Sequence, residues 1–357
     1  MHNRLEVLRN ILEEEELNGL VISSRPNTFY YTGFTGTTSM CLVTRESAFL
    51  VVDFRYVTQA GEQAFPGIEV IEYDKDVNDT LNLLCTHNRV ESLGIEGEDI
   101  SFSKVQLLRK SLNEVKSLKD VQACLRCIRM IKDPDEIMLI QKAADIADKA
   151  FQEILSVLKP GVRECEAALE LEYRMKKLGA SGVSFETIVA SGPRSALPHG
   201  VAGMRQFAAG DAVVMDFGAI YRGYCSDMTR TVFLGNPSMQ LKEIYDIVLW
   251  AQTEALDKAA EGMTGAQLDR TAREIIDSAG YEKYFGHGLG HGVGIEIHEM
   301  PRISPKGEDV LKKGMVFTVE PGIYVEGVGG VRIEDMVVLG ESEAKILTKS
   351  TKELLVL

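Results

Sequence analysis

Residues 213–234 read VVMDFGAIYRGYCSDMTRTVFL. Two apolar or alternating runs, VVMD and MTRTVFL, flank IYRG, which predicts an antiparallel hairpin turning at Tyr221-Arg222. Asp216 and Asp227 are equidistant from that turn. If they pair directly across the ladder, their Cβ atoms lie about 4.5–5.5 Å apart on one face. Two carboxylates that close repel unless something positive sits between them.

A second hairpin repeats the arrangement. FTVEPGIYV (317–325) and GGVRIEDMVVL (329–339) place Glu320 and Glu334 symmetrically about Gly327. Arg332 and Glu334 are two positions apart and share a face, whereas Asp335 points away. Just before this hairpin runs FGHGLGHGVGIEIHEMP (285–301), with His287, His291 and His298; His199 brings the cluster to four of the six histidines. The spacing of His287 and His291 is that of two ligands on one helix face. So many glycines disfavour a helix interior. The better expectation is a strand or loop where glycine lets the backbone pass close to a ligand. One of these two histidines is enough. Four carboxylates and an imidazole suit two hard or borderline divalent ions, such as Mn²⁺, Co²⁺ or Zn²⁺, and balance their charge. The chain therefore reads as a hydrolytic metalloenzyme.

Composition narrows the rest. A chain of 357 residues holds two domains with real cores, and 45% hydrophobic with 26% charged residues is ordinary for a globular protein. A net charge of −14 argues against nucleic acid and anionic membrane surfaces as partners. No apolar run approaches the roughly 18 residues of a spanning helix. The six cysteines are scattered, and the lone CxxC at Cys124 and Cys127 lacks a second pair for zinc. Free thiols in a reducing, cytoplasmic setting are expected.

Residues 1–125 alternate helix and strand and predict a small α/β domain. An amphipathic helix should end at Gly19, followed by a strand at LVIS, a strand pair at MCLVT and SAFLVVD, and further strands at IEVIEY and SLGIEG. Helices are expected at RYVTQAGEQAF and near 76–89 and 103–114. Residues 126–357 form the second domain. Asp133, Pro134 and Glu136 open a helix that should run to about Leu158, before Pro160-Gly161. GVRECEAALELEYRMKKLG (161–179) and GMTGAQLDRTAREIIDSAG (262–280) are similar glycine-bounded helices, offset by 101 residues. Two such copies predict duplicated halves with a site at their junction.

Together, TIVASGPRSALPHG, DFGAIYRGYCSDMTRT, GHGLGH, IHEMP, FTVEPGIYV and GVRIEDM resemble the pita-bread metallopeptidases, which include methionine aminopeptidase, Xaa-Pro aminopeptidase and prolidase. YYTGFTG and FLVVDFRYVTQAGEQA are similar to the extra N-terminal domain of the proline-directed, creatinase-like branch. The resemblance implies an α/β N-terminal domain followed by a duplicated α+β pita-bread domain, two divalent metal ions (most expectedly Mn²⁺), and a homodimer meeting through the N-terminal domain. It implies Asp216, Asp227, His291, Glu320 and Glu334 as metal ligands. It further implies His199, His298 and Glu320 as catalytic, His199 and His298 as substrate-binding, and His287 and Arg332 as residues that bind substrate or support the site. The expected reaction is hydrolysis of the bond before proline in short peptides. Xaa-Pro dipeptidase is favoured and Xaa-Pro aminopeptidase is the alternative. Another hydrolase on the same fold, or a binding module, would be told apart by metal analysis and a peptide panel.

Overall fold

The computed structural model describes residues 4–341 and 343–357, and the chain divides into two units, Met1–Ile128 and Arg129–Leu357. The division falls three residues beyond the expected boundary, inside a helix spanning Gln122–Met130.

The first unit is a six-stranded mixed sheet flanked by helices. Its strands are β1 (Gly19–Ile22), β2 (Met40–Thr44), β3 (Ala48–Val52), β4 (Glu69–Glu72), β5 (Ser92–Ile95) and β6 (Ser117–Asp120), in the order β4-β3-β2-β1-β5-β6. Its helices are α1 (Arg4–Glu14), α2 (Arg25–Thr32), α3 (Val57–Gln63), α4 (Val77–His87), α5 (Phe102–Ser111) and α6 (Gln122–Met130). β1, β2 and β3 are buried throughout and apolar or nearly so, as expected of central strands covered on both faces.

Two expectations are corrected here. α1 stops at Glu14, well short of Gly19. Residues 13–16 are all glutamate, and negative charge at a helix C-terminus opposes the helix dipole. Glu16 takes φ 56°, which reverses the chain into β1. Residues 25–32, not expected to be helical, form α2. Ser24 accepts from the Asn27 N–H, Pro26 sits in the first turn, and Gly33 closes the C-terminus at φ 80°.

The second unit opens with α7 (Pro134–Ile154), whose Asp133–Glu136 capping box forms as expected, although the helix ends before Leu158. Then come α8 (Glu164–Lys177), β7 (Gly182–Val183), β8 (Ile188–Ser191), β9 (Ala212–Phe217), β10 (Ala219–Tyr221), β11 (Tyr224–Cys225) and β12 (Met228–Phe233). The second half repeats the order: α9 (Met239–Lys258), α10 (Gly265–Ser278), β13 (Gly290–Gly292), β14 (Glu299–Ile303), β15 (Val316–Val319), β16 (Gly322–Val325), β17 (Gly329–Arg332), β18 (Asp335–Leu339) and β19 (Ala344–Ile346). α8 and α10 start after Arg163 and Thr264, at equivalent places in the two copies, and each of those residues also makes an isolated antiparallel bridge, to Gln206 and Val310. Each half has its own apolar core. α7 and α8 pack on β9 and β12, and α9 and α10 pack against β15, β17 and β18. The halves meet where the backbone N–H of Glu334 donates to the Thr229 carbonyl at 3.2 Å.

Candidate active site

Both hairpins that carry the paired carboxylates break at them. In the first, β10 and β11 pair Tyr221 with Tyr224, and β9 and β12 pair Asp216 with Thr229. The turn is therefore Arg222-Gly223, with φ 48° and 86°, not Tyr221-Arg222. Both central residues have positive φ, as a two-residue type I′ hairpin requires. Moving the turn by one residue moves the partner by two. Asp227 keeps its face but lies diagonal to Asp216 rather than opposite it. The ladder opens at Gly218, where any Cβ would run into the Ser226 carbonyl.

In the second hairpin the register runs through unshifted. β15 pairs with β18 through Val319 and Asp335, and β16 with β17 through Gly322 and Arg332. Glu320 and Glu334 lie between these pairs and face one another. Pro321 has no N–H for the ladder, so the strands part at this point. Asp335 points the other way, into an ion pair with Arg230 at 2.7 Å.

The four carboxylates converge. One oxygen each from Asp216, Asp227 and Glu334 can be chosen so that all three lie within 4.8 Å of one another. Asp227 and Glu334 are 5% and 1% exposed. Burial, then the charges of Glu334, Asp216 and Glu320, holds the Asp227 carboxyl well above the usual carboxylate range. Glu334 is raised in the same direction by burial, then by Glu320 and Asp216. Burial raises Glu320 to about 7. The Oδ1 of Asp216 and Oε1 of Glu334 are buried with no hydrogen-bond partner.

His291 sits in β13, a strand as expected, and Gly290 beside it is required because a Cβ would run into the Thr318 carbonyl. Its Nδ1 lies 3.1 Å from the Gly292 carbonyl, which can only accept, so Nδ1 carries the proton. Nε2 then presents its lone pair to Glu320 at 3.3 Å and Asp227 at 3.6 Å. Burial pushes the His291 pKa down, so these approaches are not ion pairs. A lone pair faces carboxylate oxygens, an arrangement that a shared proton or a metal cation relieves. The buried orphan oxygens and this outward lone pair fit a metal centre.

Arg332 is held against the cluster, with four of its five N–H groups engaged. It is 3% exposed. It donates to Asp216 Oδ2 (2.6 Å), Thr229 Oγ1 (3.0 Å), the Pro198 carbonyl (3.1 Å) and the Tyr324 hydroxyl (2.8 Å). His287 is also occupied. Its Nδ1 donates to the Gly288 carbonyl at 2.8 Å, leaving Nε2 to accept from the Tyr324 hydroxyl at 3.0 Å. Burial, then Arg332, lowers the His287 pKa to about 4, which keeps the ring neutral. His287 has no ring N–H left for a substrate, and Arg332 keeps a single Nη2 N–H. They are joined in an internal chain, Arg332 to Tyr324 to His287, which supports the site and also ties the loop carrying His199 through Pro198. Tyr324 was not among the expected residues. Its position two residues before Glu326 in a strand marks nothing in the sequence; only the folded hairpin brings its hydroxyl between the two.

Thr229 and Thr318 were also not foreseen. Thr229 donates to Glu334 Oε2 at 2.6 Å, and Thr318 donates to Glu320 Oε1 at 3.0 Å. His199 and His298 are exposed, and neither ring has a hydrogen bond among the described residues. The His298 ring meets His291 edge-on at 4.3 Å, and burial, then His291, lowers its pKa.

Residues 138–341 match metallopeptidase family M24, and residues 4–131 match the creatinase/prolidase N-terminal domain. The chain belongs to metallopeptidase family M24, a dinuclear metal-dependent family, and has its pita-bread fold. It is 43% identical to an Xaa-Pro dipeptidase of Pyrococcus furiosus, over 99% of this chain and 100% of that one. Among solved structures, an Xaa-Pro dipeptidase from Bacillus anthracis superposes with a TM-score of 0.96 at 42% identity, covering 99% of each chain. An X-Pro aminopeptidase from Thermotoga maritima superposes at 0.93 with 40% identity, covering 99% of this chain and 100% of that one. Among the described residues no helix is long and apolar enough to cross a membrane.

Proposed function

We propose that the chain hydrolyses the peptide bond preceding proline as an Xaa-Pro dipeptidase, with Asp216, Asp227, His291, Glu320 and Glu334 holding two divalent ions. The supporting observation is the set of buried acceptors turned toward one another without a counter-cation of their own, Arg332 excepted. The oxygen-rich ligand set with one imidazole favours Mn²⁺, with Co²⁺ or Zn²⁺ as substitutes. When bound, the ions supply Lewis-acid polarisation of the scissile carbonyl and make water a nucleophile at neutral pH.

The chain's own groups supply the rest. Thr318 fixes one Glu320 oxygen, and the other is left to take the proton of the attacking water and return it to the leaving proline nitrogen. His199 and His298, with free ring N–H groups, donate to the oxyanion as it develops. Proline's tertiary amide carries no N–H, so the pocket needs no acceptor there and selects the ring by shape.

The dipeptidase reading is supported by the relatives at 42–43% identity that carry that name. The engagement of His287 and of four of the five Arg332 N–H groups favours the second reading, Xaa-Pro aminopeptidase, because it leaves little donor capacity for the free carboxylate of proline. Product analysis on Ala-Pro and Ala-Pro-Ala decides between them. We expect Ala-Pro to be cleaved faster. Equal or faster cleavage of the tripeptide moves the assignment to aminopeptidase. No cleavage of either with Mn²⁺, Co²⁺ or Zn²⁺ removes the proline-directed reading.

We further read the protein as a cytoplasmic homodimer that meets through its first unit. The six cysteines are all free thiols, which fits a reducing compartment. Light scattering at micromolar concentration is expected to give twice the chain mass of 39.4 kDa. A monomer would sink the dimer.

A further inference from the structure

On the far side of the strands that carry the carboxylates lies a second buried polar network. Its centre is Arg230 of β12, 1% exposed. Successive strand residues alternate faces, so Thr229 and Thr231 point toward the carboxylates and Arg230 away from them. One arm of the guanidinium, Nη1, donates to the Thr229 carbonyl at 2.9 Å and to the Glu334 carbonyl. These are the backbones of a carboxylate-bearing residue and of the threonine that bonds that carboxylate. The other arm, Nη2, donates to Asp335 Oδ1 at 2.7 Å and the Ser350 carbonyl at 2.8 Å. Nε reaches the Ser350 and Thr351 carbonyls at 3.3 and 3.1 Å.

Residues 348–352 are thus the far anchor of Arg230, and they are themselves pinned. Asp148 of α7 accepts from the Lys349 N–H, the Ser350 N–H and the Ser350 hydroxyl at 2.8, 2.7 and 2.6 Å. Thr348 Oγ1 and Lys352 Nζ close on the two Asp335 oxygens at 2.8 and 2.7 Å. Gln252 of α9 donates to Asp335 Oδ2 at 2.8 Å. A stable fold does not need so many charged groups here, because a buried ion pair is often no better than well-packed apolar residues. What the network does supply is a fixed guanidinium, one arm of which bridges the Thr229 and Glu334 carbonyls while the other is held by Asp335 and Ser350.

We propose that Arg230 is a positioning residue for the metal centre, and that the strap of residues 348–352 sets it. Arg230 holds the Thr229 and Glu334 backbones at the separation that lets Thr229 Oγ1 bond Glu334 Oε2, which aims the remaining Glu334 oxygen at the cluster. The strap holds Arg230. Metal affinity therefore depends on groups on α7 and near the chain's last strand that touch no ligand side chain. This rests on the metal-centre reading above.

The test is Mn²⁺ binding to the full-length, metal-stripped protein, followed by calorimetry and by the electron paramagnetic resonance signal of free and bound Mn²⁺. Arg230→Lys keeps the charge but loses the fork, and should weaken Mn²⁺ binding by about 10–100-fold, the range for losing a group that orients a ligand. Asp148→Asn replaces the oxygen that accepts from the Lys349 N–H with a donor, loosens the strap on α7 and should weaken binding toward the lower end of that range, with an altered spectrum of the bound ions. Phe151→Leu, a core change on the same helix, should lower the denaturation midpoint and leave the affinity unchanged. Unaltered affinity and spectrum in Arg230→Lys and Asp148→Asn overturns the proposal. If Arg230→Lys does not fold, Asp148→Asn decides alone. If the wild-type protein takes up no Mn²⁺, Co²⁺ or Zn²⁺, it is the metal-centre reading that fails.

Discussion

Asp227→Asn should yield a folded protein that holds at most about one divalent ion per chain and gives no measurable turnover of Ala-Pro. The change keeps the side chain's size and removes one of the carboxylates crowded around the cluster, where Asp227 lies within reach of Asp216 and Glu334. An amide oxygen is a neutral, weaker ligand, and the charge balance that suits two divalent ions is lost. Losing Lewis-acid polarisation forfeits several kcal/mol of transition-state stabilisation. At 1.36 kcal/mol per decade that corresponds to at least about a thousandfold in kcat/KM. The fold should not suffer. Without metal the wild-type cluster is a site of like-charge repulsion, so the metal-free variant should unfold at a denaturant concentration no lower than metal-free wild type. Elemental analysis after gel filtration measures the metal, and urea unfolding of the stripped proteins measures the fold. An unchanged metal complement would remove Asp227 from the ligand set.

What the sequence could say about this site depended on how local each feature is. Glu320 and Glu334 were placed opposite one another because the turn around Gly327, at φ 79°, is marked by flanking glycines and the register follows from the turn alone. Asp216 and Asp227 were misplaced by one turn residue. Arg222 occupies a positive-φ position that sequence preference gives to Asn or Gly, so the Arg-Gly turn went unread. The face survived the error, since a shift of two in partner preserves side-chain alternation. The duplicated helices were legible because both copies run between glycines, and in each the residue before the helix, Arg163 or Thr264, donates its backbone N–H to the side chain three residues on, Glu166 or Gln267. By contrast, the engagement of Arg332 and His287 depends on Tyr324, Thr229 and Pro198 arriving from three other segments. No spacing rule links those positions. The same holds for Arg230, whose acceptors include carbonyls some 120 residues away in sequence. Backbone acceptors leave no mark on residue identity.

His199→Ala and His298→Ala should each keep the full metal complement and lower kcat by roughly 10²–10³, or about 2.7–4 kcal/mol, the loss for one transition-state donor. The contrast with His291 carries the argument. His291 is tethered through Nδ1 to the Gly292 carbonyl and turns a lone pair on Asp227 and Glu320, the posture of a ligand. His199 and His298 are exposed, with no hydrogen bond to either ring among the described residues, the posture of groups that wait for a substrate. His199 is nevertheless held in place. The Pro198 carbonyl before it accepts from Arg332, and the Val201 carbonyl after it accepts from Arg194 at 2.9 Å. Removing the imidazole therefore leaves the loop where it was, and the loss should fall on kcat more than on KM, because the oxyanion exists only in the transition state. His291→Ala should instead lose metal, and activity with it. Metal content and steady-state constants for the three variants, measured side by side, check the division. If His199→Ala sheds metal while His291→Ala retains it, the roles assigned to these histidines are reversed.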